Sequence, residues 1–270
     1  MNILLTNDDG IFAGGLRTLQ KALIEGGHDV YVVAPDRERS ASSHSLSLRK
    51  DIRVKQIAER EYSIDGTPVD CVVIALQRIL KDKKIELVLS GINAGQNMGE
   101  DVLYSGTVAA AVEAAFFGYR SIAVSINRYS DQKFETAANW MKTLIDNDIQ
   151  SLIHPYEILN INFPNLDPDQ IKGIRLTRMG HRKYYNFIRI IDEFEDGFSY
   201  QIGGDNPVWD LEKGSDAEAV SEGFVSITPL GFEMTKGDSF PRLLEWLEDN
   251  NYTLFSRNLD NRPHRNEIKG

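Results

Sequence analysis

Read from its first residue, the chain alternates short apolar runs with stretches of helical period. Residues 2–6, NILLT, form a buried-strand pattern that stops at the polar NDDG. From Gly15 to Gly26, Leu16, Leu19, Ala22 and Leu23 recur on one helical face, and the pair Gly26-Gly27 closes the segment. HDVYVVAP is a second apolar strand, so a strand–helix–strand unit is complete and a parallel sheet is favoured. Segment 64–82 reads as a helix, with Thr67 as N-cap, Pro68 in the first turn and Asp70 where a reciprocal capping acid belongs. IELVLSGIN is the next strand, TVAAAVEAAFFG an Ala-rich helix closed by Gly118, and SIAVSIN another strand. Residues 131–147 place Phe134, Ala137, Ala138, Met141 and Leu144 on one helical face, and ILNINFP is a further strand. This alternation predicts an α/β fold, a Rossmann-like three-layer α/β/α core with a mostly parallel sheet over residues 1–165.

Beyond the core the pattern changes. IRLTRMG, YYNFIRI and FSYQIGG, within 172–204, are strand-like pieces without helices between them and read as a β-hairpin excursion. VSITPL returns as a strand and FPRLLEWLEDN as a closing helix. The expected organisation is one domain over 1–255, with a hairpin region at about 172–215 and a closing strand and helix at 223–249. Residues 256–270 are polar and read as a flexible tail.

Charge narrows the ligand classes. A formal net charge of −10 over 270 residues argues against a nucleic-acid polymer, whose binding rests on clustered Lys and Arg. A small phosphate ester is still compatible, provided a cation or helix amides compensate locally. Cys71 is the single cysteine and sits in the apolar CVVIAL, so it reads as a buried, inert thiol and no internal disulfide can form. The first residues lack a basic region before acids arrive at Asp8, and no apolar run is long enough to span a membrane. A cytoplasmic protein without membrane attachment is expected.

Ligands of open parallel sheets bind beyond the carboxyl ends of the strands. Those ends deliver Asn7, Asp8 and Asp9; then Asp36 to Ser40 and His44; then Ser90, Asn93 and Asn97; then Ser125 and Asn127. Carboxylate, hydroxyl and amide oxygens suit a hard divalent cation such as Mg²⁺ or Mn²⁺, and no His/Cys cluster has zinc spacing. Asp8 and Asp9 could instead be a helix cap and a turn residue, but one cap would suffice and two acids are present. In LYSGTVAAAVEAA, Ser105 or Thr107 can cap the helix, and Gly106 lets backbone approach a ligand, which together describe an anion site. There is no G-x-G-x-x-G after the first strand, no P-loop and no G-x-S-x-G elbow. His44 reads either as a structural histidine or as a proton donor or phosphate contact. HRKYYNFIRI, at 181–190, mixes bases with aromatics and reads as an interaction surface that could also touch a nucleotide.

Together, NDDG at 7–10, APDRERSASSHS at 34–45, GTPVDC at 66–71, SGINAGQNMGEDVLYSGTVAAA at 90–111 and VSITPL at 225–230 resemble the SurE family of survival-protein nucleotidases. The likeness runs from residue 1 to about 247, with Gln96 and Ala41 standing where the family commonly has Pro and Gly. The resemblance implies a divalent-metal-dependent phosphatase acting on nucleoside 5′-monophosphates, sometimes on 3′-monophosphates or short polyphosphate. It implies one Mg²⁺ or Mn²⁺ per subunit held by Asp8, Asp9, Ser40 and Asn93, with Asn97, Ser105, Gly106 and Thr107 at the phosphate. It also implies a homodimer or homotetramer built by exchange of C-terminal elements. Attack on phosphorus by water or by Asp8 or Asp9 both remain open. Two rivals are a non-catalytic nucleotide or metabolite sensor on the same fold, and a haloacid-dehalogenase-like phosphatase, which spaces its acids D-x-D rather than adjacently.

Overall fold

The computed structural model describes residues 1–183, 188–202, 208–250 and 252. Two units are each compact in themselves, Met1–Gly231 and Phe232–Gly270. In chain order the first carries β1 (Asn2–Thr6), α1 (Gly14–Glu25), β2 (Asp29–Pro35), β3 (Val54–Ala58), β4 (Glu61–Ile64), α2 (Pro68–Ile74), β5 (Leu87–Ala94), α3 (Gly106–Phe116), β6 (Ser121–Ile126), α4 (Phe134–Asp146) and β7 (Glu157–Phe163). It continues with β8 (Ile174–Leu176), β9 (His181–Lys183), β10 (Ile188–Phe194), β11 (Gly197–Ile202), β12 (Val208–Asp210), α5 (Asp216–Ser221) and β13 (Val225–Gly231). The second unit carries α6 (Phe240–Asp249), on which no residue is buried.

Among the described residues the main sheet has the order β3-β4-β2-β1-β5-β6-β7-β13-β8. β4, β2, β1, β5, β6 and β7 run parallel, β3 is antiparallel to β4, and β13 is antiparallel to β7. The expected mostly parallel α/β sheet is therefore present. Its strand order reverses between β1 and β5: the chain builds outward from β1 through β2, then returns to β1's other side. A crevice opens at such a reversal, beyond the carboxyl ends of the two strands.

Alternation along each buried strand divides the core between the two faces. Ile3, Leu5, Val32, Leu87, Leu89, Val124 and Ile161 pack with Leu16, Leu19, Leu23, Ala137 and Met141 of α1 and α4. Leu4, Val33, Ile64 and Val88 face the other way, against Cys71, Val72 and Ala75 and against Ala110 and Ala114 of α3. Cys71 is fully buried, as its apolar setting predicts. A Cβ at Gly15 would lie 2.0 Å from the Ile92 carbonyl oxygen, so only glycine lets α1 sit this close to β5.

The capping box of α2 is formed as expected: Thr67 Oγ1 accepts from Asp70 N at 3.1 Å and Asp70 Oδ2 accepts from Thr67 N at 2.8 Å. The expected helix over 64–82 is shorter, because Ile64 belongs to β4 and the α-helix passes at Ala75 into a π-helical turn ending at Ile79. The β3–β4 hairpin has no counterpart in the apolar pattern, since all of β3 but Ile57 is exposed. Of the strand-like pieces after 172, β8 joins the main sheet beside β13, β9 pairs with β12, and β10 pairs with β11 as a separate hairpin. Residues 184–187 and 203–207 of that region, and the polar tail expected at 256–270, lie outside the described residues. Among the described residues no helix is long and apolar enough to cross a membrane.

Candidate active site

β1 runs out at Thr6, and the turn behind it is tied by Asn7 Nδ2 donating to the Gly10 carbonyl at 2.9 Å. Asp8 and Asp9 occupy this turn, at the β1–β5 reversal. Asp8 is 5 % exposed. Its Oδ1 accepts a short hydrogen bond from Thr107 Oγ1, and its carbonyl accepts from Arg39 N at 2.7 Å. Asp9 Oδ2 accepts from Ala94 N at 3.1 Å, which fixes it against the end of β5. Each acid is thus held by a different neighbour.

α3 opens against Asp8. Ser105 is its N-cap, accepting from Val108 N at 3.1 Å, so of the two candidate caps it is Ser105 that caps and Thr107 that turns to Asp8. A Cβ on Gly106 would come within 2.7 Å of Ser42 Oγ and 2.9 Å of Asp8 Cβ. The first turn can approach the acid only because this side chain is missing. The positive end of the helix dipole therefore faces a carboxylate.

A cavity of about 670 Å³ opens here, lined by Asp8, Ser40, Asn93, Asn97 and Ser105 of the expected set. Gly106, Thr107 and Asp9 adjoin it through the contacts just described. Asn93 sits at a register shift between β5 and β6, where its Nδ2 donates to the Gly95 carbonyl at 2.8 Å. That bond leaves the Asn93 amide oxygen as its acceptor side. Ser40 Oγ donates to Glu38 Oε1 at 2.5 Å. His44 is not brought to this cavity: its Nε2 is 2.7 Å from Glu113 Oε2 and its ring stacks on Phe116 at 5.6 Å.

Tyr104, Tyr129, Gln96, Asp101, Arg182 and Ile202 also line it. Arg182 pairs with Asp101 and lies over the Trp209 ring at 5.1 Å. It falls in HRKYY, where bases and aromatics mix in the sequence. The tyrosines carry no signal of their own and reach the rim through loops.

The electrostatics fit a cation. Burial raises the Asp8 carboxyl above its ordinary value, against the opposing hydrogen bond from Thr107. Asp9 is pushed up to about 6, first by burial and then by the charge of Asp8. Two adjacent acids that disfavour each other's ionisation are relieved by a divalent ion within reach of both. Asn7 Oδ1 is buried beside them without a hydrogen-bond partner. Among the described residues no three His, Cys, Asp or Glu side chains gather as a metal cluster. The expected donor set is two carboxylates, a hydroxyl and an amide, oxygens of the kind that suit a hard cation.

Comparison with known proteins follows the same lines. A sequence model described as "Survival protein SurE" matches residues 3–186. A protein named 5′-nucleotidase SurE from Mannheimia succiniciproducens is 45 % identical over 250 residues, covering 92 % of this chain and 99 % of its own. Its namesake from Vibrio vulnificus is 43 % identical over 250 residues, covering 92 % and 96 %. The crystal structure of the Sure protein from Aquifex aeolicus superposes with a TM-score of 0.83 at 38 % identity, covering 92 % of this chain and all of that one. With a family model matched over more than half its length and relatives of this identity along nearly all of it, the chain belongs to the SurE family.

Proposed function

We propose that this protein is a divalent-metal-dependent phosphomonoesterase that hydrolyses nucleoside 5′-monophosphates to nucleoside and phosphate, that is, a 5′-nucleotidase. The observation that carries the reading is the meeting of two adjacent, mutually repelling carboxylates, one buried and one half-buried, with the amino end of α3 at the sheet's reversal point. The names of the relatives, 5′-nucleotidase SurE, point to the same substrate class.

In this reading Asp8, Asp9, Ser40 and Asn93 hold one Mg²⁺ or Mn²⁺. When bound, such an ion supplies Lewis-acid polarisation of a phosphate oxygen and charge to offset the two acids. The chain's own residues bind and orient. Asn97, Ser105, Gly106 and Thr107 receive the phosphate at the helix end, where the dipole favours negative charge. Thr107 and the Ala94 amide hold the two carboxylates still, so that neither reorganises as charge moves on the phosphoryl group. The ester P–O bond breaks, a water supplies the replacing oxygen, and the nucleoside leaves with a proton.

Homo-oligomerisation, as dimer or tetramer, belongs to the same proposal. The β10–β11 hairpin exposes Ile188, Ile190, Ile191, Phe198, Tyr200 and Ile202, and a two-stranded hairpin with bare apolar side chains is marginal by itself. A cytoplasmic location completes the proposal.

Phosphate release from a panel of 5′- and 3′-nucleoside monophosphates and short polyphosphate, with Mn²⁺, with Mg²⁺ and with EDTA, tests it. Release that needs metal and collapses in Asp9→Asn is the expected result. Nucleotide binding without release under any metal would refute the enzyme and leave a sensor. Light scattering on the eluting protein, before and after removal of 188–202, reads the oligomer.

A further inference from the structure

The buried strands β6, β7 and β13 have two unlike faces. Towards α1 and α4 they present Ile122, Val124, Ile126, Leu159, Ile161, Phe163, Val225 and Ile227. On the opposite face Ser125 registers with Asn162, and Asn162 with Ser226; Asn160 registers with Thr228. These five side chains are at most 2 % exposed. Burying amides and hydroxyls costs free energy unless each finds a partner, so a polar layer here calls for something that needs it.

Ser226 and Thr228 find theirs in the Thr177 hydroxyl, 2.8 Å from each, whereas Ser125, Asn160 and Asn162 meet the segment carrying Asn97. Asn97 N donates to Asn162 Oδ1 at 2.9 Å, and the Asn97 carbonyl accepts from Asn160 Nδ2 at 2.8 Å and from Asn162 Nδ2 at 3.0 Å. Asn97 Nδ2 donates to Ser125 Oγ at 2.8 Å. Backbone donor, backbone acceptor and one amide hydrogen of Asn97 are therefore all engaged. What it can still offer a ligand is its second amide hydrogen and its side-chain oxygen. Asn160 holds its bond while its own Oδ1 has no partner, an arrangement that stability alone does not favour.

We infer that Asn160 and Asn162 are positioning residues for the reaction: they aim the Asn97 amide at the phosphate by gripping its backbone from the sheet below. The inference rests on the reading of Asn97 as a phosphate contact. Preorganised donors act only when their position is held, and a misplaced donor loses rate without any change in the ligand set.

A double-mutant cycle on kcat/KM for AMP, at saturating Mn²⁺, decides it. Asn162→Ala is made in the native background and in Asn97→Ala, and Asn160→Ala likewise. The Asn160 change leaves the Asn97 carbonyl its bond from Asn162, and so keeps the test alive if Asn162→Ala does not fold. In the native background each loss is expected at about tenfold, and in Asn97→Ala at less than about twofold, because there is then no amide to aim. Melting temperature should fall alike in both backgrounds, which separates positioning from support of the fold. Equal losses of kcat/KM in the two backgrounds would overturn the inference and leave the phosphate role of Asn97 intact. Full activity in Asn97→Ala would instead remove that role, and the inference with it.

Discussion

Replacing Asp9 by Asn should make the metal-free protein more stable while abolishing its response to metal. A carboxyl raised from 3.8 to about 6 is harder to ionise in the folded state than in the free chain by about 3 kcal/mol. The side chain is partly open to solvent, and solvent screening together with local relaxation reduces the recoverable part to about 1 kcal/mol. Asn keeps an oxygen for the Ala94 amide and carries no charge against Asp8. For a chain of this size 1 kcal/mol is a rise of about 2–4 °C in melting temperature.

The pH dependence has a definite sign. Above about 6 Asp9 is ionised both folded and unfolded, so its penalty is present in full; below 3.8 it is protonated in both and the penalty is gone. The advantage of Asp9→Asn should therefore be largest at pH 7.5 and close as pH falls from about 6 to about 4. Thermal unfolding in EDTA across that range is the assay. In Mn²⁺ the order should invert, since native protein gains about 2.7 kcal/mol at a metal concentration one hundred times Kd and the variant gains little. A variant less stable than the native protein in EDTA at pH 7.5, or a gap that does not move with pH, would refute the account of Asp8 and Asp9 as a repelling carboxylate pair that a cation relieves.

Three further outcomes follow from the same geometry. Thr107→Val keeps shape but leaves Asp8 Oδ1 without its hydroxyl donor, so calorimetric titration should show Mn²⁺ binding about tenfold or more weaker. Gly106→Ala should improve local helix propensity and nonetheless cost about 1–3 kcal/mol in denaturant unfolding, with activity lost, because its Cβ meets Ser42 and Asp8. His44→Ala should change kcat less than about twofold, since the ring is bound to Glu113 and Phe116 rather than turned to the cavity; a large loss would restore it as a proton donor.

Periodicity in the sequence was enough to determine the alternating strands and helices, because burial on two faces forces continuous apolar runs and burial on one forces a helical stripe. Thr67, Pro68 and Asp70 determined where α2 starts through contacts three residues apart. Local rules of this kind also marked Asp8, Asp9 and the SGT opening of α3. They could not show that Thr107, rather than capping its helix, would bond to an acid 99 residues earlier. The exposed β3, whose pattern carries no alternation, and the π turn that ends the α2 region were equally hidden. ILNINFP reads as one more strand, yet its two asparagines exist to grip Asn97, 63 and 65 residues away. Arg182 likewise reaches the cavity by pairing with Asp101. Patterns of burial are set by neighbours along the chain and are written there; which polar group satisfies which depends on how the strands are ordered in space, and only the folded sheet decides that.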